Sequence, residues 1–160
     1  MTSPRIRLLA LTAVVLASAP LLTGCAGDVP MDAADDANNP ACADVIVRLP
    51  DTVAGLDRRT TNAQSTGAWG DPSGVQLRCG IEPSGPTTDS CVNVDGVDWI
   101  VDDSQAPLYR FEAYGRSPGL AVFVNSEHAS GTAAVLDLGA VVKLLPQTRE
   151  CVGLVDTLDL

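Results

Sequence analysis

The chain has 160 residues, and its 20 acidic residues outnumber its 10 lysines and arginines, which gives a formal net charge of −10. A surface of this sign disfavours binding to nucleic acid, whose phosphates carry the same charge, and docking on anionic lipid by charge. One histidine is too few for a histidine-based metal site, and the five cysteines lack the close pairs typical of structural zinc sites. We therefore expect no metal, no cofactor and no nucleic-acid partner.

Residues 1–24 have the pattern of a bacterial lipoprotein signal peptide. Arg5 and Arg7 precede an uncharged apolar run, which is typical of a signal peptide and is shorter than the roughly 18–20 apolar residues that span a bilayer. The run ends in a Leu-Thr-Gly-Cys sequence that matches a lipobox, because a small residue precedes the cysteine that accepts a diacylglyceryl group. We therefore expect a chain lipidated at Cys25 and held at the outer face of the cytoplasmic membrane. An ordinary secretory signal is the alternative.

Residues 25–39 follow the lipobox and are small, polar and acidic, without an aromatic side chain. They offer too little apolar surface to offset the entropy of ordering them. We therefore expect a flexible tether between the lipid and a single domain formed by residues 40–160. The mature chain has a formal charge of −12, which we attribute to solubility outside the cell.

Two helices are predicted, one at each end of this domain. Pro40 suits the first turn of a helix, and Cys42 begins an apolar stripe with the spacing of one helix face. A second helix is predicted over residues 132–145, with Ser130 as its N-cap and Pro146 after its end. The remaining members of the first stripe are Val45, Ile46 and Leu49.

The residues between the two helices predict short strands. Apolar and polar residues alternate with period two, and the Asp95-Gly96 pair favours a type I′ hairpin. Strands joined by such short turns favour an antiparallel sheet. The expected fold class is α+β, a two-layer sandwich in which an N-terminal and a C-terminal helix pack on a sheet of four or five strands. The predicted strands are 75–79, 92–94, 97–101, 109–114 and 120–124.

Lipidation of Cys25 leaves four cysteines, which suits two disulfides in an oxidising compartment. Four cysteines allow three connectivities. We favour Cys42–Cys79, which ties the first helix to the inner face of a strand, together with Cys91–Cys151. The main rival joins Cys79 to Cys91 and Cys42 to Cys151.

The order of several short motifs resembles the actinobacterial family known as domain of unknown function 3515. The resemblance covers residues 42–145 and implies a small secreted or lipid-anchored envelope protein, without catalytic residues to transfer. Related small lipoproteins also suggest, by analogy, the Cys42–Cys79 pairing. The motifs are Cys42-Ala43 with Leu49-Pro50, Gly55, Arg58-Arg59, Ala68-Trp69-Gly70-Asp71-Pro72, Arg78-Cys79-Gly80, Pro86-Thr87 and Gly96-Val97-Asp98-Trp99.

The candidate ligand or partner surface combines Trp69 with Arg58, Arg59 and Arg78. Trp69 lies among glycine and proline residues, which favours a functional loop position. Aromatic rings beside guanidinium groups are common at binding surfaces. We expect Trp99 to lie in the core.

Candidate catalytic residues are sparse. The carboxylates Asp95, Asp98, Asp102 and Asp103 cluster around one predicted hairpin, and two of them in one pocket would suit acid–base hydrolysis of a cell-wall glycan. His128 is the single histidine, and its polar surroundings favour a surface role. The preferred function is therefore a non-enzymatic envelope lipoprotein that binds a protein partner or a cell-wall component. The alternative is a cell-wall hydrolase that uses these aspartates.

Overall fold

The computed structural model describes residues 27–152, which form two α-helices and eight β-strands in one sheet. In chain order the elements are α1 (Pro40–Ile46), β1 (Thr52–Val53), β2 (Leu56–Arg59), β3 (Thr66–Trp69), β4 (Val75–Ile81), β5 (Cys91–Val94), β6 (Val97–Gln105), β7 (Leu108–Ala113), β8 (Gly119–Asn125) and α2 (Gly131–Val142). Neighbouring strands are antiparallel throughout, and their order across the sheet is β1-β2-β3-β4-β8-β7-β6-β5.

The sheet is larger than the sequence predicts. The expected two-layer sandwich with four or five strands is wrong, because most of the fold is a single eight-stranded antiparallel sheet with two short helices. The strands that the sequence analysis missed are β1, β2 and β3, which have only two to four residues each. Three of the four residues in β2 are charged, and β3 is buried along its whole length, so neither has the alternation of a half-buried strand.

The later strands follow the sequence pattern. Asp95 and Gly96 have φ angles of 48° and 76°, as both central residues of a type I′ turn require. Val94 pairs with Val97 and closes the β5–β6 hairpin. β6 pairs with β7, and β7 pairs with β8, in two further hairpins. The predicted hairpin at Asp95-Gly96 is therefore confirmed.

One hydrophobic core lies between the inner face of the sheet and the two helices. Alternate residues of β4 and β8 enter it, and Leu77 pairs with Val122 at its centre. Leu138 brings α2 into the same cluster, and Val45 brings in α1. Trp99 is fully buried there, as expected. The opposite side of the sheet, called the outer face below, carries the other set of alternate residues.

Both favoured disulfides are present. Cys42 of α1 bonds to Cys79 of β4, with a Cα–Cα distance of 5.7 Å. Cys91 of β5 bonds to Cys151, with a Cα–Cα distance of 6.0 Å. The predicted connectivity is confirmed, and the rival connectivity is excluded.

The segment 27–39 lies against the domain. The Val29 amide donates to the Thr60 carbonyl at 2.8 Å, and further along the segment the Asp36 amide donates to the Gly80 carbonyl at 3.0 Å. The Val29 side chain is buried. The packed part of the chain therefore begins before residue 40, where the sequence analysis placed the start of the domain.

The C-terminal segment passes the end of β6 at Asp98 and the end of β7 next to Gly115. The Thr148 amide donates to the Gly115 carbonyl at 2.6 Å, and the Cys151 amide donates to Oδ2 of Asp98 at 2.8 Å. Gly115 has a φ of 69°, and a side chain there would overlap the Arg149 backbone. A glycine is therefore required where this segment passes β7.

The predicted signal peptide, the predicted lipidation site Cys25 and residues 153–160 lie outside the described residues. Between residues 27 and 152, no helix is long and apolar enough to cross a membrane.

Candidate functional site

The Trp69 side chain is buried, so it does not form part of the predicted ligand or partner surface. It is 0% exposed, and its indole Nε1 donates to the Pro50 carbonyl at 3.1 Å. The indole therefore fills the core and satisfies its N–H within the fold. The expectation that Trp69 is an exposed loop residue is corrected by this burial, because it ends the central strand β3 rather than a loop.

Arg58 stabilises the end of the first helix. Its Nη1 donates to the Leu49 carbonyl at 3.1 Å, and its Nη2 to the Ile46 carbonyl at 3.3 Å. Carbonyls at a helix C-terminus lack partners within the helix, and a guanidinium group also suits the negative end of the helix dipole. The donors of Arg58 are thus used by the fold.

Arg59 joins the N-terminal segment to the β3–β4 turn. It donates to the carbonyls of Gly27 at 3.1 Å and Gly70 at 3.3 Å, and its Nη1 lies 3.2 Å from the carboxylate of the exposed Asp71. A cleft of about 550 Å³ lies beside Arg58 and Arg59. Both guanidinium groups already bind backbone carbonyls. They are therefore less available to a ligand than the guanidinium group of Arg78.

Arg78 is placed on the outer face of the sheet. Its guanidinium carbon lies 5.7 Å from the centre of the Phe123 ring, close enough for a cation–π interaction. Its Nε is buried and has no hydrogen-bond partner among the described residues. Of the four residues that the sequence singled out, Arg78 is the one whose charged group is left available by the fold.

A row of side chains crosses the outer face beside Arg78. Gln76 of β4, Phe123 of β8, Arg110 of β7 and Asp102 of β6 are successive register partners. Sequence reasoning missed Phe123. The signal was available, because the ring occupies the alternate position of strand 120–124, where a strand with one solvated face usually carries a polar residue.

The loop of residues 82–90, called the outer loop, is fixed on this face by a buried carboxylate. Glu112 is 2% exposed. Its Oε1 accepts from the Ser84 amide at 2.8 Å, and its Oε2 accepts from Nη2 of Arg110 at 2.6 Å. Arg149 also donates to the Ser84 carbonyl at 3.2 Å. Glu112 and Arg149 therefore hold the outer loop through Ser84, and Arg110 pairs with the Glu112 carboxylate.

An open cleft of about 510 Å³ lies between the N-terminal segment and the outer loop, with Arg78 among its lining residues. We call it the Arg78 cleft. Three carboxylates line it as well, those of Asp35, Asp36 and Glu82. The remaining lining residues are Ala33, Ala34, Gly80, Ile81, Pro83, Ser117 and Pro118. The cleft thus combines one guanidinium group with an excess of negative charge.

Gly80 shapes one wall of the Arg78 cleft. Its φ is +95°, and a side chain there would overlap the backbone of Asp36. The absent side chain allows the hydrogen bond between the Asp36 amide and the Gly80 carbonyl. Glycine at this position therefore brings the N-terminal segment against β4.

The hairpin aspartates have separate partners. Asp95 pairs with Lys143 at 2.9 Å. Asp98 is buried and accepts from Asn93 at 2.7 Å and from the Cys151 amide, so it anchors the C-terminal segment. Among residues 27–152, no group of three or more His, Cys, Asp or Glu side chains is arranged to hold a metal ion.

Asp102 and Asp103 lie further along β6. Hydrogen bonds from the side chain and the backbone of Ser104 lower the pKa of Asp102, and the charge of Arg110 lowers it further. Asp103 is exposed. Asp102 and Asp103 line one cleft together with Asp89 and Arg110, whereas Asp95 and Asp98 are not among its lining residues.

His128 lies in the turn between β8 and α2, where its amide donates to the Asn125 carbonyl at 3.0 Å. Ser130 follows it and accepts from the Ala133 amide at 3.3 Å, which confirms the predicted N-cap.

The fold and the cleft together define a small disulfide-linked domain built on one antiparallel sheet, with an arginine and an aromatic ring on its outer face. The chain belongs to the family described as protein of unknown function DUF3515, whose model matches residues 7–150. The resemblance seen in the motifs is therefore confirmed. No curated protein and no solved structure matches the chain.

Proposed function

We propose that this protein is a non-enzymatic binding module, anchored through lipidated Cys25 to the outer face of the cytoplasmic membrane, and that the Arg78 cleft binds a component of the cell envelope. The observation that carries the proposal is the state of Arg78. Its guanidinium group stacks on Phe123, and its buried Nε has no partner among the described residues. A guanidinium group that lines a cleft and has no hydrogen-bond acceptor in the described part of the fold supports recognition of a ligand.

The disulfides support a location outside the cytoplasm. Both bonds join distant parts of the chain, with sequence separations of 37 and 60 residues. Disulfides of this structural kind persist in oxidising compartments. Together with the lipobox at residues 22–25, they favour export followed by lipidation of Cys25.

The path of the N-terminal segment favours a defined orientation on the membrane. Gly27 lies two residues after Cys25, and two residues span at most about 7 Å. The Gly27 carbonyl is bonded to Arg59, which also binds Gly70 at the start of the β3–β4 turn. Gly80 is near the far end of β4, roughly 17 Å along the strand. A lipid on Cys25 would therefore lie nearer to the β3–β4 turn than to the Gly80 end of β4, where the Arg78 cleft lies.

A photoreactive amino acid in the cleft tests this function in intact cells. We place it at the exposed cleft residue Ser117, and at the exposed Val47 next to α1 as the control. We expect a mass adduct from position 117 that is absent from position 47 and is lost when Arg78→Gln is added. Equal labelling at both positions, or an adduct that survives Arg78→Gln, would contradict the proposal.

A further inference from the structure

We infer that the Arg78 cleft recognises a small zwitterion, whose oxyanion binds Arg78 and whose ammonium group lies among the carboxylates of the other walls. This inference rests on the binding function proposed above and names the chemistry of the ligand.

The guanidinium group of Arg78 indicates that the ligand carries an anionic group. The Phe123 ring covers one face of Arg78, so the edge of the planar group is the part that remains for hydrogen bonding. Its Nε is buried without a partner among the described residues, which leaves the two terminal Nη groups as the donors for a ligand in the cleft. A carboxylate or phosphate binds these two groups through two parallel hydrogen bonds.

The carboxylates on the other walls of the cleft indicate that the ligand also carries a cationic group. Asp35, Asp36 and Glu82 line the same cleft, and all three are exposed. Asp36 accepts from Asn39 at 2.9 Å, whereas within residues 27–152 neither Asp35 nor Glu82 belongs to an ion pair. Negative charge on the walls repels a simple anion, and Arg78 repels a simple cation. A ligand with both charges satisfies both sets of groups.

The volume and position of the cleft limit the source of the zwitterion. About 510 Å³ is within the range of roughly 300–1,000 Å³ found for small-molecule sites. A free amino acid or the end of a peptide carries an ammonium group with a carboxylate, and an ethanolamine phosphate headgroup carries one with a phosphate. Since a lipid on Cys25 would lie nearer to the other end of β4, we favour the amino acid or peptide as the source.

Calorimetric titration of the purified mature protein in detergent tests the inference with four defined compounds. Alanyl-alanine has both charges, N-acetyl-alanyl-alanine has only the carboxylate, alanyl-alaninamide has only the ammonium group, and O-phosphoethanolamine has an ammonium group with a phosphate. We expect the zwitterions to bind about tenfold or more tightly than the singly charged compounds. The stronger of the two zwitterions identifies the carboxylate or the phosphate source.

Variants locate the two charges in the cleft. Arg78→Gln is expected to raise the Kd of the better zwitterion about tenfold or more, as is the double variant Asp35→Asn with Glu82→Gln. Arg48→Gln is the matched control, because Arg48 is an exposed arginine paired with Asp44 outside the cleft. Its Kd should equal that of the wild type.

Three outcomes would overturn the inference. They are equal binding of a singly charged compound, no binding of either zwitterion at millimolar concentration, and a Kd that Arg78→Gln leaves unchanged. The photochemical experiment at Ser117 reads out occupancy of the cleft in cells independently of these compounds. An Arg78-dependent adduct in cells with no zwitterion binding in the calorimeter would reject the ligand class and leave the binding function standing.

Discussion

The guanidinium carbon of Arg78 lies 5.7 Å from the centre of the Phe123 ring, across the boundary between β4 and β8 on the outer face of the sheet. The ring limits the directions in which the charged group can point. It thereby holds the guanidinium group ready for a ligand, which reduces the entropy lost on binding.

The contact between Arg78 and Phe123 is expected to be energetically coupled. Phe123→Leu keeps an apolar side chain but removes the π face, so we expect a coupling free energy of about 0.5–1 kcal/mol in a double-mutant cycle with Arg78→Gln. Urea unfolding of the four proteins measures it. Additive losses in the cycle would mean that the stacking contributes nothing to the position of Arg78.

Removal of the Glu112 carboxylate should release the outer loop. Glu112→Ala leaves the Ser84 amide and Arg110 without their acceptor, and we expect a loss of about 2–3 kcal/mol in the free energy of unfolding. Hydrogen exchange should become faster at Ser84 and at neighbouring amides of residues 82–90. Glu127→Ala, at an exposed glutamate, is the control and should change stability by less than about 0.5 kcal/mol. Unchanged exchange at Ser84 would contradict the role of Glu112.

The two disulfides should differ in their resistance to reduction. Cys42 and Cys79 are fully buried, whereas Cys91 and Cys151 are partly exposed. We expect mild reductant followed by alkylation to label Cys91 and Cys151 first, since thiol exchange requires access to a sulfur. Peptide mapping by mass spectrometry reads the order. Labelling of Cys42 and Cys79 before the other pair would be inconsistent with this packing.

Reduction of the Cys91–Cys151 bond should also loosen the C-terminal segment. The double variant Cys91→Ser with Cys151→Ser is expected to lose about 2–4 kcal/mol of stability. Hydrogen exchange at Thr148 should become faster, because the bond holds the end of that segment on the sheet. A protected Thr148 amide in this variant would show that the other contacts suffice.

The carboxyl of Asp102 is expected to titrate below the usual range of aspartate. Hydrogen bonds from Ser104 lower its pKa in the folded protein. A lowered folded-state pKa means that this interaction stabilises the fold above the unfolded-state pKa, and that the contribution disappears as the pH falls through the folded-state pKa. NMR titration should show the low pKa, and Ser104→Ala should raise it. The same pKa in both proteins would contradict the assigned cause.

A side chain at position 80 should separate the N-terminal segment from β4. Gly80→Ala places a Cβ against the Asp36 backbone at a φ of +95°, so we expect a stability loss of about 1–3 kcal/mol and weaker binding in the Arg78 cleft. Gly85→Ala is the control, because nothing lies within 4 Å of a Cβ there. Equal behaviour of the two variants would argue against a cleft wall held by Gly80.

The sequence correctly predicted those elements whose formation depends on a few neighbouring residues. The Asp95-Gly96 turn, the Ser130 cap and the apolar stripe that contains Cys42 each depend on a few adjacent residues. These three features could be predicted because their cause lies within a short stretch of chain. The disulfide between Cys42 and Cys79 joins residues 37 apart in the sequence, so the sequence only favoured it among three open connectivities.

The remaining parts depend on distant neighbours. β2 and β3 are too short to show a period. The seven-residue β4 supplies hydrogen bonds to β3, and β3 in turn pairs with β2. Segment 27–39 has the composition of a tether, yet backbone hydrogen bonds to Thr60 and Gly80 hold it on the domain. Trp69 was misplaced for the same reason, since its burial is decided by elements that surround it in space.

The mature N-terminus is the most direct test of the central claim that this is a lipid-anchored extracytoplasmic domain. We would measure the intact mass and the membrane partitioning of the wild type and of Cys25→Ala. We expect a wild-type chain that begins at Cys25, carries a diacylglyceryl group and sediments with membranes, and a variant that lacks the lipid and is released. Two soluble forms that share an N-terminus other than Cys25 would contradict that claim.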